Sequence, residues 1–181
     1  FLMRRFRIGR FSAQISTTIT TPQKAHNKMS AASITISPVS PADEQVQKLI
    51  AKLDQFQIAL YGRENCHLDS IEVLLQSGAH MLGAFTGEVL VGMGAIKIMG
   101  GYAEVKRMYV EESHRGLGIA ETILSRLEAY AIEQKINRIC LETGVYHEAA
   151  MRLYRKLGYR VIEQFGEYKV NGLSVFFEKQ V

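Results

Sequence analysis

Short apolar stretches alternate with helical spacings along most of the chain. Ile34-Thr35-Ile36 reads as a short alternating strand. Ser40-Pro41-Ala42-Asp43 then reads as a helix start, with Ser40 as the cap, Pro41 at the first helical position and an acid in the first turn. Val46, Leu49, Ile50, Leu53 and Phe56 follow at helical spacing, and Leu68, Ile71, Leu74 and Leu75 predict a second, short helix closed by Gly78. Strands are expected over His80–Phe85 and Val89–Ile98, joined by the turn Thr86-Gly87-Glu88, and over Ala103–Val110. A helix is expected from about Gly116 to Gln134, a strand over Ile136–Thr143, a helix over His147–Leu157, and closing strands over Tyr159–Ile162 and Leu173–Phe177.

The order β-α-α-β-β-β-α-β-α-β-β predicts a mixed α/β sheet with helices on both faces, mostly antiparallel. The helical crossover should make Ala103–Val110 and Ile136–Thr143 a parallel pair. Ligands in such sheets favour the carboxyl ends of parallel strands, which directs attention to the segment after Val110.

Charge changes the picture only once it is divided. The 181 residues carry a formal charge of +4, with 22 basic and 18 acidic residues. Residues 1–33 hold Arg4, Arg5, Arg7, Arg10, Lys24 and Lys28 and no acid, so the remaining 16 basic and 18 acidic residues give 34–181 a balance of −2. A nucleic-acid module needs a basic folded face and is not expected. The acid-poor, Arg- and Ser-rich leader reads as a mitochondrial transit peptide, a cloning extension, or a segment upstream of a start at Met29. The domain is expected over 34–181, in the cytoplasm, or in the mitochondrion if the leader is a transit peptide. The longest apolar run, Val89–Ile96, is too short to cross a bilayer. Cys66 and Cys140 make no disulfide framework, and the histidines lack ligand spacing, so no metal is expected. Pairing across a dimer is left open.

The candidate chemistry lies in Arg115-Gly116-Leu117-Gly118-Ile119-Ala120, between a strand and a helix. Gly at two positions allows close approach to the backbone, and the free amides of a helix's first turn favour negative charge. A phosphate or pyrophosphate cradle is the local reading. No Lys-Ser or Lys-Thr follows, which excludes a Walker loop, and Glu121 stands where a dinucleotide fingerprint has its third Gly.

This segment matches the Arg/Gln-x-x-Gly-x-Gly/Ala loop of the GNAT N-acetyltransferase superfamily, and it follows Lys106-Arg107-Met108-Tyr109-Val110, which resembles that family's fourth strand. His147-Glu148-Ala149-Ala150-Met151-Arg152-Leu153-Tyr154-Arg155-Lys156-Leu157-Gly158-Tyr159 resembles its Asn-x-x-Ala-x-x-Leu-Tyr-x-Lys-x-Gly-Phe helix. The resemblance runs from about Ile34 to the C-terminus. It implies acetyl-CoA as donor and a primary amine of a small molecule or peptide as acceptor, in a ternary complex. It implies that the backbone of Met108, Tyr109 and Val110 meets the pantetheine arm and that the amides of Arg115–Ala120 hold the pyrophosphate. His147 stands where most members carry a pantetheine-contacting Asn. Tyr154 matches the family's general acid. For the base, Glu104 comes first and Glu142 or water next; strand parity does not choose between the carboxylates, because a bulge would reverse facing. The other reading is a catalytically idle acyl-CoA sensor on the same fold. Gln55–Asp69 and the Phe165–Leu173 loop are expected to shape the acceptor site, and Lys106 and Arg107 to meet an anion.

Overall fold

In the computed structural model, residues 33–168 and 171–181 are described. The leader expectation falls on residues outside them. Seven strands form one sheet: β1 (Ile34–Pro38), β2 (His80–Thr86), β3 (Val89–Ile98), β4 (Ala103–Val110), β5 (Arg138–Gly144), β6 (Arg160–Ile162) and β7 (Ser174–Gln180). Their spatial order is β1-β2-β3-β4-β5-β7-β6. Only β4 and β5 run parallel, as the crossover rule requires. The last strand enters between β5 and β6, antiparallel to both.

Four helices cover the sheet: α1 (Glu44–Tyr61), α2 (Ile71–Gln76), α3 (Ile119–Glu133) and α4 (Glu148–Lys156). The start of α1 differs from the sequence reading. Ser40 closes a turn by accepting from the Ala42 amide, and the cap is Asp43, whose carboxylate accepts from the Gln45 amide. A carboxylate there satisfies a free first-turn amide and meets the positive helix end, which displaces the Ser-Pro signal by three residues.

Strand alternation divides the core into two layers. Val46, Leu49, Ile50 and Leu53 of α1 and Leu74 of α2 pack with Met81, Leu90, Met93 and Ala95 on one face. Ile119, Ile123, Leu124 and Leu127 of α3 and Tyr154 of α4 pack with Leu82, Val91, Val105, Ile139 and Leu141 on the other. A smaller cluster of Cys140, Phe165 and Phe176 covers the α1 face beyond the helix, with Cys140 a buried free thiol.

Two irregularities position the site. The β3–β4 register passes from Ala95↔Lys106 to Met93↔Tyr109, so Gly94 faces both Arg107 and Met108. Arg107 has φ 58, the left-handed conformation a bulge accommodates. Lys106 and Arg107 consequently both lean toward the α1 face, while Met108 packs with α3. The second irregularity is the short β4–β5 pairing, which covers Ala103–Val105 against Ile139–Leu141. Beyond it the two strands part, and the β5-facing edge of residues 106–110 has no strand partner among the described residues.

Candidate active site

A cavity of about 700 Å³ fills the wedge between the parted strands. Its walls are the open edge of β4, the turn before α3, the start of α4, and residues of α1 and the segment after it.

The turn after β4 is built for close approach. Glu112–His114 makes a single 3-10 turn, and Gly116 and Gly118 have φ 78 and 74 with no heavy atom near where a Cβ would stand. Gly118 caps α3 without a side chain, so no side chain occupies the first-turn amides of that helix. Arg115 donates from Nε to the Val110 carbonyl at 3.0 Å, its guanidinium 6.0 Å from the Tyr109 ring centroid. Arg115, Gly116, Gly118, Ile119 and Ala120 line the cavity, as do Met108, Tyr109 and Val110. Leu117 differs: its side chain is 63% exposed and lines a separate groove beside β1.

His147 caps α4 on the opposite wall. Its ring stacks on Phe56 at 5.2 Å between centroids, and burial pushes its pKa down, which favours the neutral imidazole. Nδ1 lies 3.4 Å from the Thr143 hydroxyl, while Nε2 is buried with no partner among the described residues. A buried ring nitrogen beside an open strand edge suits a ligand with amide groups. Two turns along α4, Tyr154 packs against Tyr159 and Phe177 and still reaches the cavity, at 5% exposure. Burial, and then the neighbouring charge of Glu142, raise its phenol above its ordinary pKa, so it keeps its proton at neutral pH.

The two carboxylates proposed as base share a face, since Glu104 is in register with Cys140, two positions before Glu142. Their environments differ. Glu104 does not line the cavity. It accepts from the Tyr168 hydroxyl and from Lys106 Nζ at 3.3 Å. Glu142 lines the cavity, accepts from the Ser174 hydroxyl at 2.6 Å, and has His67 Nδ1 at 3.9 Å. The expectation that Lys106 and Arg107 meet an anionic ligand is not matched by their contacts. Lys106 also pairs with Asp69, and Arg107 is buried against Asp54 and the Asp69 carbonyl. The sequence reading gave no site role to Asp54, Asp69, Tyr168 or His67. For Asp69, Tyr168 and His67 the signal was regional, in the stretches Gln55–Asp69 and Phe165–Leu173 expected to shape the acceptor site, and Asp54 lies just outside them.

A mixed sheet parted at one parallel pair, with a glycine turn at a helix start and a tyrosine on the far wall, defines a class of acyl-transfer fold. The sequence model described as the acetyltransferase (GNAT) family matches residues 46–159. An IAA acetyltransferase of Azospirillum brasilense is 39% identical over 148 residues, 81% of this chain and 97% of that protein. A Klebsiella pneumoniae chain described as an acyl-CoA N-acyltransferase is 34% identical, covers 82% of this chain and 98% of its own, and superposes with a TM-score of 0.72. In fold alone, the PaiA N-acetyltransferase of Thermoplasma acidophilum in complex with coenzyme A matches at 23% identity and TM-score 0.65, over 82% of this chain and 99% of its own. The chain belongs to the GNAT acetyltransferase family.

Proposed function

We propose that the protein transfers an acetyl group from acetyl-CoA to a primary amine of a small molecule or peptide, by direct attack in a ternary complex. The observation that carries this reading is the lining of a single cavity. It holds an unpartnered strand edge, a glycine turn with free helix amides, and a protonated phenol.

The residues present fit acetyl-CoA. The open edge of Met108–Val110 offers amide partners for an extended pantetheine arm, like an added strand. The amides at Gly116–Ala120, with Arg115 beside them, suit a pyrophosphate. The orphan Nε2 of His147 offers the contact that an Asn makes in most of the family. Bound there, acetyl-CoA supplies a thioester whose sulfur leaves as a thiolate.

The chain's own groups then do three things. The walls align two reactants, which can lower a barrier by roughly 7–11 kcal/mol. Tyr154 holds a proton through the neutral range and donates it to the departing sulfur, a contribution of about 10²- to 10⁴-fold. A carboxylate on the α1 face takes a proton from the acceptor's ammonium. The idle-sensor reading predicts binding without turnover. Thiol release across a panel of amines, set beside acetyl-CoA binding by calorimetry, tests the proposal. Amine-dependent release is expected, and binding without release from any amine would overturn it.

A further inference from the structure

The acceptor half of the cavity has an uneven charge pattern that narrows the substrate. Three glutamates line the cavity: Glu121, Glu142 and Glu148. Glu121 pairs with Lys156 at 2.6 Å and Glu148 with Arg152 at 3.3 Å, near the mouth. Glu142 lies deeper, with its side chain 19% exposed, and no Lys or Arg among the described residues pairs with it. Its named neighbours are the Ser174 hydroxyl and His67, and its charge raises the phenols of Tyr154 and Tyr168.

The cations of the same half are engaged. Lys106 Nζ is held by Glu104, Asp69 and the Tyr168 hydroxyl. Both terminal nitrogens of Arg107 are bonded, and its Nε is buried away from any surface. Among the described residues, an acceptor carboxylate would find no free Lys or Arg there and would face the charge of Glu142. The remaining surface is mostly apolar or aromatic, with Leu53, Phe56, Tyr146 and the ring of Tyr168, and Gln57 adds one neutral polar group.

Resting on the acetyl-transfer reading, we infer that Glu142 receives the acceptor's ammonium and is the base, and that the acceptor is an amine with an apolar body and no carboxylate near its nitrogen. Glu104 is a positioning residue that holds Lys106 and Tyr168. In the balanced step the ammonium gives up two protons. Glu142 takes the first, freeing the lone pair that forms the nitrogen–carbon bond as the carbon–sulfur bond breaks. Tyr154 gives its proton to sulfur and recovers the second, so one proton per turnover passes from Glu142 to water.

The test compares thiol release with 2-phenylethylamine and with L-phenylalanine, which adds only a carboxylate to the same skeleton. The expected preference for 2-phenylethylamine is about 100-fold or more in kcat/KM, the scale of placing an unpaired charge in a part-buried site. Glu142→Gln should lower kcat/KM for that amine by about 100-fold while leaving acetyl-CoA affinity unchanged by calorimetry. Ser174→Ala, which removes a hydrogen bond from the carboxylate, should move the acidic limb of kcat/KM to higher pH. Equal or preferred turnover of phenylalanine, full activity in Glu142→Gln, or an unmoved limb in Ser174→Ala overturns the inference. Release with neither compound also overturns it, and a broader amine panel then shows whether acetyl transfer falls with it.

Discussion

The parallel pair β4–β5 has two ends with opposite characters. At Ala103–Val105 the strands are bonded to each other, and the one carboxylate there, Glu104, is fixed by Lys106 and Tyr168 at 5% exposure. A few residues further the strands part, and their side chains face a cavity: Glu142 and Thr143 from β5, Met108 and Tyr109 from β4. The bulge at Arg107 lies at the transition. It turns two consecutive residues toward α1, where Asp54 and Asp69 neutralise them. A closed, internally charge-paired polar network therefore abuts an open site, and buried charge on a strand does not by itself mark chemistry. Which charges remain unsatisfied is the more informative property.

The comparison can be broken first at the boundary. Arg107→Met leaves Asp54 and the Asp69 carbonyl without their donor, and a loss of about 3 kcal/mol in chemical denaturation is expected, somewhat below a fully buried pair because Asp54 is partly exposed. If stability is retained, the bulge is not held by that pair. At the open end, a Cβ on Gly144 would overlap the Tyr61 hydroxyl, which accepts from the Tyr146 amide at 2.9 Å. Gly144→Ala should cost about 2 kcal/mol through overpacking, read as a lowered Tm. Gly118→Ala meets no clash but imposes a side chain at φ 74. About 1 kcal/mol of stability should be lost, with weaker acetyl-CoA binding by calorimetry. The smallest effect on chemistry is expected at the closed end: Glu104→Gln should lower Tm through the loss of a charged partner for Lys106, yet leave the acidic limb of kcat/KM where it was. A shifted limb would return the base to Glu104.

Much of the fold is legible from local pattern. The spacing of Ile119, Ile123, Leu124, Leu127 and Ala131 marks α3, and Gly87 and Gly158 mark turns that the structure contains. The glycine turn and the cavity tyrosine are legible as well, because Gly116, Gly118 and Tyr154 sit in ordered motifs at fixed offsets, and all three line the cavity. The acceptor wall is not. Asp54, Asp69 and Tyr168 meet the β4 residues Glu104, Lys106 and Arg107 across 38 to 64 residues of sequence, through hydrogen bonds that no local period encodes. Strand parity was equally silent, since Arg107 adds a residue to β4 without any Gly or Pro of its own to announce it. The cap of α1 shows the same limit at short range. Ser40 and Asp43 both suit an N-cap, and the carboxylate takes the position.

Burial keeps Tyr154 protonated, and a raised pKa places its deprotonation above pH 10, the ordinary value for tyrosine. The kcat profile should accordingly show no loss attributable to this group through the neutral and mildly alkaline range. The most direct measurement is amine-dependent thiol release by Tyr154→Phe at saturating acetyl-CoA. A fall in kcat of about 10²-fold or more with unchanged acetyl-CoA affinity is the predicted result. Turnover equal to the unaltered chain's would contradict it.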